Sequence, residues 1–450
     1  MAESPERRSP SGPGSSGSGS SGTGSRSRPR SRSRSRLSRR ILRAWRIWAP
    51  ALAGLVLIAV GAFAVLQETS SFTTPRMAGN PLVTSRSDNA SILILTSHQE
   101  TTGSLLRGWL GWEADPPTMH WDLWAFDVRD LRRRWVTRLG SIRRGQHDAD
   151  RGILGAETGG IWVLVNRLVL VSQTGGIMGD GSMIEARNTS LRVGLPIGRQ
   201  AYAFDRGMII TTQDGVKLRV EPQSLTAQPL DEAVRATEAV LPLIPLPAGQ
   251  LPKGRSVQLG NDWLGLATEE ERAAFARGDE ITAPDFSKPA RPRLIVARSV
   301  DRRDVSGATI RRLQDFTAMP GNLEFQNGGL LLLSNQRGGY SAVVLSEPRR
   351  LLVLHQDGPA AQAGQLLSCI LLTGAQCWQA RLGLHSVAGG VPIGDGPPSS
   401  WAVLLLGRTT AGTPGSEADS IVRVGLQDGT VTRLDIGALN VGELNADQEN

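Results

Sequence analysis

Beyond residue 82 the chain alternates short apolar runs with clusters of turn-forming residues, and little of it carries the 3.6-residue period of a helix. The runs at 91–96 (SILILT), 161–171 (IWVLVNRLVLV), 207–212 (GMIITT), 330–334 (LLLLS), 342–345 (AVVL), 351–354 (LLVL) and 401–406 (WAVLLL) have the composition of buried strands. Gln-Asp-Gly at 213–215, 356–358 and 427–429 marks tight turns. The pattern predicts an all-β fold. One stretch, 268–277 (TEEERAAFAR), reads instead as a short helix, because Thr268 and Glu271 stand at the spacing of a capping box.

A second departure lies upstream. Residues 47–66 (IWAPALAGLVLIAVGAFAVL) hold no charge over twenty positions, and a helix of that length spans about 30 Å, the hydrocarbon thickness of a bilayer. Twelve arginines and two acids precede it, and no basic residue follows it until Arg76. The positive-inside rule then places 1–46 in the cytoplasm and the rest outside. The expected location is a bacterial inner membrane, crossed once, with the large domain in the periplasm. Arg43, Trp45, Arg46 and Trp48 fall where interfacial residues belong. Ser38-Arg39-Arg40-Ile41-Leu42 and Ala62-Phe63-Ala64 offer a rival reading, a cleaved export signal, but the apolar run is long for one and an uncleaved anchor is favoured.

Charge separates the two sides. The chain carries 50 basic and 42 acidic side chains. Without the tail, 38 basic and 40 acidic residues remain, so the outer domain is nearly neutral and has no general attraction for polyanions. The Ser/Gly/Arg-rich tail cannot build a core and is expected to be disordered. Its natural partner is the anionic head-group layer, with nucleic acid a lesser alternative. Residues 67–82, rich in Ser, Thr and Pro, read as a stalk, and 441–450 as a disordered end. The two cysteines, Cys369 and Cys377, both lie in the outer domain, where a disulfide and a pair of buried free thiols are both open.

A repeat emerges within the strands. Residues 127–140 align without a gap to 370–383, and both end W-x-x-R-L-G: Trp135, Leu139 and Gly140 in one, Trp378, Leu382 and Gly383 in the other. A weaker copy at 424–437 lacks the Trp. Each copy reads as strand, turn and strand, with its large apolar residues packing on a neighbouring sheet. These residues resemble the blade repeat of quinoprotein-like (PQQ-type) β-propellers: Leu123-Trp-Ala-Phe-Asp127 is similar to its opening, and Thr373-Gly374 with Trp378 to its middle. The resemblance implies a seven- or eight-bladed propeller over 83–440, with an irregular insertion at about 230–292; a pair of smaller β-domains is the alternative. It extends to the fold and not to the cofactor, since the dehydrogenases of that family carry adjacent cysteines and Cys369 and Cys377 are not adjacent.

Little else points to chemistry. His98, His120, His147, His355 and His385 are scattered without metal-ligand spacing. His147-Asp148-Ala149-Asp150 reads as a solvated loop, and the glycine-rich 175–181 as a hairpin loop with no evident helix after it. No catalytic residue, metal or cofactor is expected. The resulting expectation is a non-enzymatic scaffold or sensor that meets another envelope protein through propeller loops or through the 230–292 insertion. The alternative is a periplasmic hydrolase or quinone-linked dehydrogenase with its site in the propeller funnel.

Overall fold

A computed structural model describes residues 54–57, 69–85, 89–103, 116–143, 151–191, 194–196, 198–230 and most of 240–441. Breaks in the last span fall at 242, 247–252, 255, 260–261, 278–289, 304–308, 320–322, 332, 335–339, 342–349, 360–362, 395–400 and 411–416. Two compact units are distinguished, and all described residues from 69 onward belong to the larger. The smaller contributes one helical turn at 54–57, with Leu55, Val56 and Leu57 exposed. Among the described residues no helix is long and apolar enough to cross a membrane. The tail 1–46, the interfacial set Arg43, Trp45, Arg46 and Trp48, most of 47–66, the run 342–345, His147 and residues 442–450 lie outside the described residues.

The larger unit is built almost wholly from antiparallel sheets. Among the described residues there are six of four or more strands and one two-stranded ribbon, Leu333–Ser334 with Tyr340–Ser341. Sheet I centres on Ser91–Gly103, Thr118–Asp127 and Arg133–Arg143. Sheet II contains Gly152–Glu157, Gly160–Leu164, Leu168–Val171 and Ile177–Asp180. Sheet III runs Tyr202–Phe204, Met208–Thr211, Lys217–Val220 and Ala227–Pro229. Sheet IV holds Ser256–Leu259, Asp262–Ala267, Arg293–Arg303 and Thr309–Ala318. Sheet V holds Gly329–Leu331, Arg350–Gln356, Gln365–Leu371 and Gln376–Arg381. Sheet VI holds Ser386–Ile393, Ala402–Thr410, Glu417–Gly425 and Val431–Asp435.

Among the described residues six sheets have four or more strands, where dividing the chain by a repeat length gives seven or eight units. The reason is strand length: sheets I and IV extend their hairpins with strands of 10 to 13 residues, so each consumes more chain than a compact repeat does. The apolar run 161–171 is also two strands, not one. Asn166 and Arg167 interrupt it, and Val165 N donates to the Arg167 carbonyl to close a hairpin turn.

Why the strand centres are apolar on both faces becomes clear from the packing. Leu93, Leu95, Trp121 and Leu123 of sheet I share a core with Ile161, Val163 and Val169 of sheet II. The opposite side of sheet I, with Ile92, Ile94, Trp124 and Phe126, packs on Val391, Leu404, Leu406 and Ile421 of sheet VI. Sheets II and III join through Trp162, Leu170, Met208 and Ile210. Sheets IV and V join through Leu264, Leu294, Leu351 and Val353, and sheets V and VI through Leu352, Leu367, Val403 and Val422. A strand buried on both faces cannot alternate, because either side chain direction leads to apolar surroundings.

Two stretches expected to lie outside the sheets are in them. Within 67–82, Thr69–Phe72 and Arg76–Met77 pair with Ser91–Gly103, and Phe72 and Met77 pack against the core between sheets I and VI. Within 230–292, Val240–Leu241 adds to sheet II, Ile244–Pro245 to sheet I and Lys253–Gly254 to sheet V. Helix α1 is Gly181–Arg187 and helix α2 is Glu269–Arg277. Thr268 and Glu271 form the reciprocal capping box that the sequence suggests, with Thr268 N donating to Glu271 Oε2 at 2.7 Å and Glu271 N to Thr268 Oγ1 at 3.2 Å.

Candidate functional site

The repeat residues occupy matching positions. Trp135 and Trp378 each stand at the start of the last strand of their sheet, I and V. Trp135 Nε1 donates to the Gln173 carbonyl at 2.9 Å, and its ring lies where a Cβ on Gly175 would sit, 2.9 Å from Cδ2. Trp378 Nε1 donates to the Leu426 carbonyl at 3.1 Å, and its ring lies 2.8 Å from the Cβ position of Gly429. Gly175 and Gly429 are turn glycines of the next sheet, at φ +94° and +73°. The tryptophan therefore clamps one sheet to the following turn, and the turn must lack a side chain for the ring to land. Leu139 and Leu382 are buried in the same two inter-sheet cores. Gly140 faces Asn166, and Gly383 turns at φ +66° beside Arg433.

The gapless alignment of the two copies hides a difference. In sheet I the turn closes from Asp127 N to the Arg132 carbonyl, with Leu131 at φ 58°. In sheet V it closes from Leu371 N to the Ala375 carbonyl, with Gly374 at φ +88°. The sheet V turn is one residue shorter. The ladder absorbs the difference, and Trp135 pairs with Ala125 while Trp378 pairs with Cys369.

Ionisable chemistry concentrates at one end of sheet I. His98 and His120 are register partners, as are Thr96 and Asp122, and Asp122 pairs in turn with Arg138. His98 Nδ1 lies 3.1 Å from Asp122 Oδ2, and Arg138 Nε donates to Asp122 Oδ1 at 3.1 Å. His120 Nε2 meets Glu100 Oε2 at 2.8 Å, and the two imidazoles stack at 5.2 Å. Phe72 sets its edge against His98 at 5.7 Å, so the strand that follows the apolar 47–66 segment covers this cluster. The Asp122 carboxylate and His98 side chain have no exposed surface. Burial holds His120 below its ordinary value, helped by Arg138 and His98 and opposed by Glu100.

A second polar group sits in sheet V, where His355 Nε2 and Ser368 Oγ are 2.9 Å apart and Gln379 Nε2 donates to Ser368 Oγ at 3.2 Å. Both His355 and Ser368 are buried. A nucleophilic serine must meet a substrate carbonyl, and this one is closed off by the packing of sheet V. Neither cluster was visible in sequence, since the bonded partners lie 11 to 40 residues apart and only strand register unites them.

Cys369 is buried and Cys377 exposed, and both are free thiols. The 175–181 glycines form a five-residue turn and an edge strand, but helix α1 does follow, capped where Met183 N donates to Asp180 Oδ1 at 3.1 Å. Among the described residues no group of three or more His, Cys, Asp or Glu side chains could hold a metal ion. No protein-family model matches this chain, and no curated protein matches it.

Proposed function

We propose that the six sheets are blades of a β-propeller, carried outside the inner membrane on the 47–66 anchor, and that the protein is a non-enzymatic scaffold or sensor for another envelope protein. Sheet VI packs on both sheet V and sheet I, which supports an arrangement in which the last blade returns to the first. His98, Asp122, His355 and Ser368 are buried, each in contact with a side chain of its own cluster, and this reading gives their chemistry to the fold.

The observation that carries the binding reading is the distribution of exposed apolar side chains. Of those on the larger unit, Ile177 and Met178 lie on the edge strand of sheet II, Met183 on helix α1 and Val216 on a turn of sheet III, with Val431 apart on sheet VI. Uncovered methionine and isoleucine beside an open strand edge is the chemistry of an adaptable protein-binding surface.

A photo-reactive amino acid at Met178 or Met183 in the full-length chain, activated in intact membranes, should cross-link one discrete membrane or periplasmic partner, while the same probe at Val431 should not. Absence of any product at 178 and 183, together with a metal or chromophore in the purified chain, would move the assignment to the enzyme. Carbonate extraction with protease protection of the two chain ends tests the anchor separately.

A further inference from the structure

The cysteine pair carries more than the sequence implied. Strand Gln365–Leu371 pairs with Gln376–Arg381 so that Cys369 opposes Trp378 and Ile370 opposes Gln376. Cys377 is the extra residue between them, the extra member of a β-bulge, in which two residues of one strand face a single residue of the other. The bulge brings the Cys377 thiol within hydrogen-bonding reach of the Cys369 thiol. One thiol is exposed and the other lies wholly within the core shared by sheets V and VI.

We propose that Cys369 and Cys377 form an oxidisable dithiol, closed to an intramolecular disulfide by exchange with a small-molecule disulfide, and that the bridge fixes the bulge beside the Trp378 clamp. Cys377 reacts first, because it alone is accessible. Its thiolate attacks one sulfur of the oxidant, the oxidant's S–S bond breaks, and one thiolate departs. Cys369 then attacks Cys377 Sγ and expels the second small thiolate, which carries the Cys369 proton away as it leaves. Two S–H groups have become one S–S bond, and the two electrons reside on the reduced oxidant.

The two positions also set the rates. Burial pushes the Cys369 thiol well above its ordinary range, with the Cys377 hydrogen bond adding to it and Arg350 opposing it, so closure is slow. Reopening is slower still. Attack at exposed Cys377 must expel a poor leaving group, and attack at Cys369 is blocked by packing. The pairing itself does not depend on the function proposed above; its occurrence in the cell rests on the extracytoplasmic placement, where oxidants of this class are present.

The test uses the purified, reduced full-length chain incubated with oxidised glutathione. Intact mass should show loss of two hydrogens, a peptide map should join residues 369 and 377, and Cys369→Ser should instead stop at one glutathione on Cys377. Tryptophan fluorescence should differ between the reduced and oxidised chains, and Trp378→Phe should remove most of that difference. A glutathione adduct that persists on Cys377 in the unaltered chain, or two thiols that stay unmodified, overturns the proposal. Either result leaves the cross-linking outcome untouched, so failure here and failure of the scaffold reading are distinguishable.

Discussion

Substituting Gly175 by alanine isolates the tryptophan clamp, because the protein contains its own control. Gly215 occupies the same five-residue turn in sheet III. Ser172 N donates to the Gly176 carbonyl at 2.7 Å and Gly175 N to the Ser172 carbonyl at 3.0 Å; Thr212 N and Gly215 N make the corresponding bonds, each at 2.9 Å. The φ angles are +94° and +80°. The difference is above the turn: a Cβ at 175 would lie 2.9 Å from the Trp135 ring, whereas nothing lies within 4 Å of one at 215. Both alanines incur the left-handed backbone penalty of about 1–2 kcal/mol. Gly175→Ala must also push aside a ring that is fixed at Nε1 by the Gln173 carbonyl, an overpacking cost of about 1–3 kcal/mol. Urea unfolding of the full-length chain, followed by far-ultraviolet circular dichroism, should show a loss of about 1–2 kcal/mol at 215 and about 2–5 kcal/mol at 175. In a Trp135→Ala background the Gly175→Ala loss should fall to the Gly215→Ala value, which makes the coupling measurable as a double-mutant cycle. Equal losses at 175 and 215 in the unaltered background would refute the clamp.

Other consequences are equally specific. Asp122→Ala leaves the mostly covered Arg138 guanidinium without its carboxylate and should cost up to about 3–5 kcal/mol in the same urea assay, while Asp122→Leu with Arg138→Leu should recover part of that loss. The folded-state value of His120 lies below 6.5, so the unfolded chain takes up its proton first. Stability contributed by the neutral ring is intact above the unfolded value of about 6.5 and is lost as pH falls through the folded value. The urea midpoint should therefore drop as pH falls below about 6.5, and His120→Gln should flatten that slope. Thr268→Ala removes half of the capping box and should weaken helix α2 by about 0.5–2 kcal/mol, seen as faster hydrogen exchange at the Glu271 amide with no change in the sheets.

Strand composition proved the readable part of this chain, because a run such as 402–406 is apolar at every position and has one conformation that suits it between two sheets. Continuations were harder to see. The strand Ser91–Gly103 goes on through Ser97, Gln99 and Thr101, where polar side chains carry no burial signal and pairing with Thr118–Asp127 on one side and with Thr69–Phe72 and Arg76–Met77 on the other holds the backbone extended. Phe72 and Met77 were masked by a Ser/Thr/Pro background that reads as a stalk. The clamp tryptophans were visible as a repeat, yet their partners, Gly175 and Gly429, gave no sign, since a glycine that receives a ring looks like any other turn glycine. The His98–Asp122–Arg138 cluster depends on register across three strands, which local pattern does not encode.

The core between sheets I and VI has a consequence for how the chain is made. Ile94, Trp124 and Phe126 are covered by Val391, Leu404 and Ile421, which leave the ribosome roughly 300 residues later, or about 15–60 s at ordinary rates of synthesis. For that interval the first sheet displays a wide oily face with nothing to close it. A holding factor that occupies this face until the last sheet arrives would decide the yield of native protein, and truncating the chain from its C-terminal end should produce aggregates rather than a smaller stable unit.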